Sequence, residues 1–569
     1  MRTVRWTLAT MAMLSMTACL WAQGSATARP GGGSSTTRGS GGGGGGSSSR
    51  PAPKKVDPFA PYKVYTKDNA PAAPKLEDLP QKDSVSQYGI TWTFDKPARV
   101  GQFINGDWYV VGATTVRMID PKPLFGAEVG ELINKESIKE DKYPGKQARN
   151  GSSLNPASKG KLCGFDSRTP SDRYDPALFT PLPIAMKPGD SLVSTISRPN
   201  SEITKFGGQH VDPLRGASVL TCVAEPQPAD AFRPSYTDCA KSKICLARNL
   251  RRDLLLKLQR PAGAPATLDV YARYFQRPWI DLADFGFAAP QDNMPHYGQQ
   301  MVEQEGEAAL LLLCDYPAQE KENVLIGLVQ IGIDFYGVGR GGFVWQAHGG
   351  LNSGRKLPIV LAGFLLEDKE MTAPCKSVPG LRFAEDDQTA MCPYTYRWKD
   401  KDGWHEKTFE KGFTGAKAIF LGWAPYLKAR EELWMQGGGT LDLFPPSQWP
   451  PRPGEIWSSE GYRRANTSAC WVGQALAMRL LHMEKVWDHD PFFAYVDRWM
   501  TEDDTEAVKA IRDAGFVDYT KAAFGTSNRQ GNVTGEGQRW VREMWSKHRD
   551  NLPPAADGTK TPKAADTWK

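Results

Sequence analysis

The spacing of apolar residues changes at about Leu246, and this change most constrains what the chain can fold into. From Tyr88 to about residue 226, short segments such as "GITWTFDKP" and "VGQFINGDWYVVG" alternate apolar and polar residues between Gly and Pro. That alternation predicts strands and hairpins. After Leu246 the apolar period becomes about 3.6 residues, which is typical of amphipathic helices. The sequence therefore predicts an α+β chain, with a β-rich part followed by a helical part.

The helical part contains nine candidate helices, several separated by long polar loops. They are "RNLRRDLLLKLQR", "YGQQMVEQEGEAALLLLCDY", "QEKENVLIGLVQIGIDFYGVG", "KLPIVLAGFLLED", "GAKAIFLGWAPYLKAREELW", "TSACWVGQALAMRLLHMEKVW", "PFFAYVDRWM", "TEAVKAIRDAG" and a last one near residues 538–548. The segment "VLIGLVQIGIDFYG" is apolar on nearly every side, as expected for an inner helix screened by outer ones. We therefore expect helical hairpins stacked into a complete or incomplete α/α toroid, with functional loops at one end.

The predicted organisation has five parts. They are a signal peptide (1–22), a flexible Gly/Ser/Pro-rich linker (23–84), a β-rich sandwich-like domain (85–245), the α/α toroid (246–550) and a disordered tail (551–569). Arg2 and Arg5 precede an apolar run that ends in small residues, which indicates export to the periplasm, the cell surface or the medium. The sequence "MTAC" ending at Cys19 resembles a lipobox, so a lipid anchor at Cys19 is the one membrane link that we expect.

The charge and the cysteine content limit which partners and which disulfides we expect. The 569 residues include 70 Lys and Arg and 64 Asp and Glu, a net charge of +6. Because these cations are not clustered, we expect no nucleic-acid partner. Nine cysteines are present, and eight remain once Cys19 is set aside, an even number that suits disulfides in an exported chain. The first expected pairs are Cys239 with Cys245 and Cys375 with Cys392, whereas Cys314 and Cys470 are expected to be buried thiols.

Several phrases of the chain together resemble a known group of proteins. They are "GQFINGDWYVVG", "DNMPHYG", "LIGLVQIGIDFYG", "SGRKLPIVLAG" and "WDHDPFFAYVDRWM". These phrases, within residues 88–500, look like those of uncharacterised secreted bacterial proteins whose helical part is similar to polysaccharide lyases and glycoside hydrolases. The resemblance implies a β-domain followed by a toroid, and a carbohydrate as the substrate.

The connection "WQAHGGLNSGRK" lies between two predicted helices and carries an unusual set of side chains. Its glycines allow a tight turn, and Ser353 is expected to cap the helix that follows. Arg355 and Lys356 would then lie in the first turn of that helix, where the helix dipole disfavours cations. We interpret this position as a sign of a uronate or sulfate ligand, or else of a structural carboxylate that pairs with Arg355.

Three polar loops precede predicted helices and would share one rim of a toroid. We therefore propose a catalytic set for β-elimination, in which His348 or Tyr462 removes a proton while Arg355 and Asn293 stabilise the intermediate. The substrate-binding candidates from the same loops are Trp345, Lys356, Asn352, Asp292, His296, Trp457, Arg463 and Glu460. Tryptophans in polar loops are further candidates for sugar stacking or for pinning the loops, namely Trp279, Trp345, Trp398, Trp404, Trp449 and Trp457.

Hydrolysis is the main alternative, because it needs two carboxylates across the sugar. The loop candidates for this role are Asp292, Glu385, Asp386 and Glu460. The acidic run "FAEDDQTAMCPY" could equally bind calcium or be a solvated loop. No zinc spacing, dinucleotide fingerprint, nucleophile elbow or HExxH sequence occurs, so we expect no cofactor and no catalytic metal.

The preferred function from sequence is thus a polysaccharide lyase-like activity on an acidic or sulfated polysaccharide. A glycoside hydrolase on the same toroid is the first alternative. A non-catalytic carbohydrate-binding or cell-envelope protein is the second.

Overall fold

A computed structural model describes most of the chain between Pro61 and Pro554. The described residues are 61–130, 145–158, 163–169, 173–202, 205–206, 210–211, 213–282, 290, 292–295, 297–347, 349–400, 402–422, 441–449, 467–503, 505–515, 539–554, 567 and 569. They form a mixed α/β structure in which a sheet-rich region is followed by a helical region, as the change of apolar period predicts. The predicted signal peptide and Cys19 lie outside the described residues.

Sixteen strands are present among the described residues. They are β1 Gln81–Gln87, β2 Ile90–Gln102, β3 Trp108–Val111, β4 Thr114–Asp120, β5 Leu124–Phe125, β6 Ala148–Arg149, β7 Ser152–Leu154, β8 Ile184–Met186, β9 Ser191–Ser197, β10 Lys205–Phe206, β11 His210–Val211, β12 Leu214–Val223, β13 Thr389–Met391, β14 Tyr394–Asp400, β15 Gly403–Phe409 and β16 Ala418–Phe420. The main sheet has the order β7-β9-β12-β3-β2-β4-β8, with β1 also on β2.

The long strand β2 explains why this region is one nearly closed sheet rather than the expected pair of stacked sheets. Its 13 residues pair with β1 and β4 through the first half, where Trp92 lies opposite Ile119. The second half pairs with β3, where Val100 lies opposite Val110. A single strand therefore joins two sets of neighbours that a sandwich would separate.

Strands β9 and β12 are buried on both faces and connect the sheet to the helices. Leu192 and Leu220 point into the interior of the sheet region. Val193 and Val219 point the other way and belong to the core formed by the helices. Burial is nearly continuous along both strands, and most of their Ser and Thr side chains are buried together with the apolar ones.

Eleven helices are present among the described residues. They are α1 Asp269–Gln276, α2 Gly298–Leu312, α3 Ala318–Arg340, α4 Lys356–Leu366, α5 Pro374–Ser377, α6 Ala384–Asp387, α7 Trp471–Leu480, α8 Glu484–Trp487, α9 Asp490–Thr501, α10 Thr505–Asp513 and α11 Arg539–His548. Almost all residues of α3 from Glu322 onward are buried, as its apolar character on nearly every side predicts. No helix in the described ranges is both long and apolar enough to cross a lipid bilayer.

One predicted helix is wrong, and a second is wrong in its described part. The segment "RNLRRDLLLKLQR" forms only short 3-10 turns, because Arg248 binds Asp230 while Arg252 binds Glu322. In the predicted helix "GAKAIFLGWAPYLKAREELW", residues 418–420 form β16 and pair with β13, whereas residues 423–434 lie outside the described residues. The helical region therefore contains two small antiparallel sheets, β13–β16 and the β14–β15 hairpin.

The end of the predicted linker and the predicted disulfides differ from the structure. Tyr62 and Tyr65 are buried against the helical core and β1 begins at Gln81, whereas residues 23–60 of the predicted linker lie outside the described residues. The eight described cysteines are free thiols, so neither expected pairing is formed. Cys314 and Cys470 are buried thiols, as predicted. At the other end of the chain, Leu552 packs on the helical core although the tail was expected to be disordered from residue 551.

A buried arginine joins the sheet region to α3. Arg233 is fully buried, and its Nε donates to Asp107, which follows the β2–β3 turn. Its Nη1 and Nη2 donate to the two carboxylate oxygens of Asp334 on α3, at 2.9 and 2.6 Å. Burial raises the pKa of Asp334 to about 6 in spite of this cation. The packing of the sheet on α3 therefore depends on one guanidinium shared by two carboxylates.

We expect Arg233→Met to lower the free energy of unfolding by about 3 to 5 kcal/mol, because it leaves two buried carboxylates without their cation. Urea denaturation followed by fluorescence measures this change. Arg251→Met is the matched control, since Arg251 also binds two carboxylates, those of Asp253 and Glu367, but at the surface. The control should keep a midpoint close to that of the parent protein. Equal midpoints for the two variants would show that the buried cluster has no special role.

Candidate functional site

The connection between α3 and α4, here called the elbow (residues 345–356), lies against the start of α2. The approach is close, since a Cβ added to Gly298 would lie 2.3 Å from the carbonyl oxygens of both Gly350 and Leu351. Gly298 follows directly on the predicted loop 292–297, so the end of this loop lies beside the elbow. Most of the third loop, residues 451–466, lies outside the described residues.

Three consecutive acids of α6 hold the elbow at three points. Glu385 Oε1 accepts a hydrogen bond from the Gly354 amide at 2.7 Å, and Asp387 accepts from the Ala347 amide at 3.1 Å. Asp386 forms an ion pair with Lys356 at the first residue of α4. The acidic run that suggested a calcium loop therefore binds donors of the elbow. Among the described residues, no group of three or more His, Cys, Asp or Glu is placed to hold a metal.

Asp281 neutralises Arg355 and also fixes Trp345. Arg355 Nε and Trp345 Nε1 both donate to Asp281 Oδ2 at 2.8 Å. Arg355 also donates to the Leu351 carbonyl at 3.0 Å, and it is 1% exposed. Trp345 stacks on Phe383 with ring centroids 5.8 Å apart. The cation that suggested an anionic ligand therefore has a structural carboxylate, which was the alternative interpretation of its position.

Lys356 is satisfied in the same way. Besides its ion pair with Asp386, its ammonium group lies 4.6 Å from the centre of the Trp487 ring and 5.7 Å from that of Phe383. It is 2% exposed. Acids next to the start of α4 offset the unfavourable effect of the helix dipole on these two cations.

The two small polar residues of the elbow are buried and only partly satisfied. The expected helix cap by Ser353 is wrong, because Arg355 occupies the cap position of α4 without a side-chain bond and Ser353 Oγ has no partner. Asn352 Nδ2 donates to the Gln346 carbonyl at 2.8 Å, whereas its Oδ1 has no partner.

The remaining predicted site residues are placed as follows. Asn293 Nδ2 donates to the carbonyls of Tyr274 and Arg277, each at 3.0 Å, and so terminates α1. Asp292 forms an ion pair with Arg277. The predicted residues that lie outside the described part of the chain are His348, His296, Trp457, Glu460, Tyr462 and Arg463.

The loop tryptophans fall into two groups. Trp279, Trp345 and Trp449 are buried, and they pin their loops to the core. Trp404 on β15 is 46% exposed, and the Arg397 guanidinium lies 4.1 Å from its ring centre. The β14–β15 hairpin is therefore where a described loop tryptophan meets solvent.

Glu385 combines a fixed position with an available proton. It is fully buried, and burial raises its pKa to about 7, although the hydrogen bond from Gly354 acts in the opposite direction. Its second oxygen, Oε2, has no hydrogen-bond partner in the part of the chain that the structure describes. A carboxyl group with such a pKa is half protonated at neutral pH, so it can donate a proton to a reacting group.

Sequence reasoning missed a second buried carboxyl group, that of Glu305 on α2. Burial holds the pKa of Glu305 well above its ordinary range; Arg355 opposes this effect and Glu385 adds to it. Its position in the helix was a usable signal, because Glu305 lies four residues after Met301 and four before Ala309, on the buried face. A charged residue on an apolar stripe indicates a partner or a bound proton.

Comparison with known proteins adds no assignment to this geometry. No protein-family model, no curated protein and no solved structure matches the chain.

We expect the stability of the parent protein to fall as the pH rises from about 5 to 8. The folded state keeps the Glu385 proton up to about pH 7, whereas the unfolded state loses it at the lower ordinary pKa. Glu385→Gln carries no such proton and should lose about 2 to 3 kcal/mol less over the same interval. Urea titrations at pH 5 and pH 8 measure the difference. Glu367→Gln, at the other end of α4, should retain the parental decline, and an unchanged decline in Glu385→Gln would rule out a raised pKa.

Proposed function

We propose that the protein is an exported carbohydrate-cleaving enzyme in which Glu385 is the general acid. The observation that carries the proposal is the Glu385 carboxyl group, with one oxygen held by the Gly354 amide and the other without a partner. Cleavage of a glycosidic bond requires a proton for the leaving oxygen, and the acid that supplies it needs a raised pKa. The burial of Glu385 provides that pKa.

Hydrolysis is favoured over β-elimination by the pairing of the two elbow cations. Elimination requires a positive group that stabilises the charge developing on a uronate. Arg355 is neutralised by Asp281, and Lys356 by Asp386. For the same reason, the earlier expectation of an acidic or sulfated substrate loses its main support, and we propose a neutral polysaccharide.

The scaffold that we propose is the α/α toroid expected from sequence. Its support is that α3 and α4 form a tight helical hairpin, since a Cβ on Gly332 would lie 2.2 Å from the Pro358 carbonyl oxygen. Helices α2 and α7 form a second close pair, through Gly306 and Gly473. The resemblance of residues 88–500 to secreted carbohydrate-active proteins supports both the substrate class and export.

The proposal requires a movement, because Glu385 is fully buried. We propose that the elbow separates from α6 to admit substrate to Oε2. The bonds that must then break are those from Gly354 and Ala347 to the acids of α6, together with the ion pair of Lys356. Gly349 and Gly354, which have φ angles of +60° and +92°, give the elbow backbone the freedom for such a change.

The test is incubation with a panel of neutral and acidic polysaccharides, with product detection by reducing-end assay and by ultraviolet absorbance of unsaturated sugars. We expect reducing ends from a neutral polysaccharide without new absorbance. Glu385→Gln should lower kcat/KM at least about 100-fold, since it removes general-acid catalysis. Glu367→Gln is the matched control and should retain parental activity.

Other results of the panel would contradict the proposal in different ways. Unsaturated products from an acidic polysaccharide would indicate the lyase. Binding without any product would indicate a carbohydrate-binding or cell-envelope protein.

A further inference from the structure

Helices α2 and α7 cross closely, and the crossing brings two buried polar side chains together. A Cβ added to Gly306 would lie 2.8 Å from the backbone nitrogen of Gln474, so only glycine fits there. Beside this contact, Gln474 Nε2 donates to Glu305 Oε2 at 3.4 Å. Both side chains are fully buried. The geometry of the crossing therefore fixes an amide against a carboxyl group away from solvent.

Each of these two side chains has one oxygen without a partner. Among the described residues, Glu305 Oε1 and Gln474 Oε1 have no hydrogen-bond partner, although buried polar atoms are nearly always paired. Two acceptor oxygens cannot satisfy each other unless one of them carries a proton. A protonated carboxyl group solves this, since its O–H can donate to the amide carbonyl while the amide N–H donates to its other oxygen.

The charged groups around Glu305 favour the protonated form. Those that act on it are Arg355, Glu385 and Asp281. The one cation among them, Arg355, already donates to Asp281 through both Nε and Nη2. The two carboxyl groups repel a negative charge on Glu305. Burial acts in the same direction and raises its pKa.

We propose that Glu305 remains protonated at neutral pH and pairs with Gln474 through two hydrogen bonds. A neutral Glu305 places no charge beside Glu385, so Glu385 alone of the two carboxyl groups exchanges its proton near neutral pH. The relevance of this difference to catalysis rests on the proposed function of Glu385. The protonation of Glu305 and its pairing with Gln474 do not.

Infrared spectroscopy in deuterated buffer tests the protonation directly, because the carbonyl stretch of a carboxylic acid is separate from the bands of a carboxylate. At pH 8, where Glu385 is mostly ionised, we expect the full-length parent to retain a carboxylic-acid band that Glu305→Gln lacks. Glu322→Gln is the matched control, since Glu322 is buried on the neighbouring α3 but forms an ion pair with Arg252. This control should keep the band. A spectrum of Glu305→Gln identical to that of the parent would overturn the proposal.

A further measurement, the pH midpoint of Glu385 ionisation, separates a neutral Glu305 from an ionised one. Glu305→Gln keeps the side chain neutral, so the pH midpoint of Glu385 ionisation should move by less than about 0.5 pH unit. If Glu305 were ionised, removing its charge would lower that midpoint by about one pH unit or more, and this result would overturn the proposal.

Gln474→Leu covers the case in which Glu305→Gln does not fold. It leaves the acid without its amide partner, so the carboxylic-acid band should move to higher frequency, and an unmoved band would overturn the pairing. The infrared spectra do not depend on catalytic activity. Loss of the band in Glu305→Gln, together with no product from any polysaccharide, would therefore confirm the pair and reject the proposed function.

Discussion

The ion pair between Arg355 and Asp281 sets the charge balance of the helical core. Both groups are buried, and Asp281 also accepts from Trp345, so this pair fixes the start of the elbow and the start of α4 together. Its second consequence is electrostatic. Burial holds the pKa of Glu305 well above its ordinary range, and Arg355 opposes this effect only in part because Asp281 offsets its charge. Burial likewise raises the pKa of Glu385 to about 7.

The packing of the elbow on α6 also depends on charge compensation. A turn that ends in two adjacent cations at a helix start is unfavourable in isolation, because the helix dipole is positive there. The acids of α6 reverse the balance, since Glu385 and Asp387 accept from backbone amides of the elbow while Asp386 pairs with Lys356. Trp345 and Phe383 stack between the two segments. The cations are thus explained by what packs against the turn, and the turn is stable only with α6 in place.

This dependence on distant partners decides what the sequence could predict. Periodicity predicts the long apolar helices α2, α3, α7 and α9, because the apolar residues that each helix buries recur at helical spacing within its own sequence. The sequence also shows that Arg355 and Lys356 lie at an unfavourable end of a helix. It does not show the carboxylate that compensates Arg355, because Asp281 lies 74 residues earlier and comes next to Arg355 only after α3 packs. The segment with Arg248 and Arg252 does not form the predicted helix, because Asp230 and Glu322 bind these two arginines in different directions. Glu305 was recognisable by its position on an apolar stripe, whereas its pairing with Gln474 depends on a crossing of two glycines that no local pattern specifies.

At the junction between the sheet and the helices, buried carboxyl groups also outnumber cations. Arg233 forms ion pairs with both Asp107 and Asp334, and burial raises the pKa of Asp334 to about 6. Glu385, with a pKa of about 7, is the corresponding group at the elbow. In each case the folded chain binds a proton that the unfolded chain releases at lower pH. Folding is therefore linked to proton binding at two separate places, and both linkages favour the folded state on the acid side of neutrality. The same excess of buried carboxyl groups that limits stability at high pH is what keeps a proton available at Glu385.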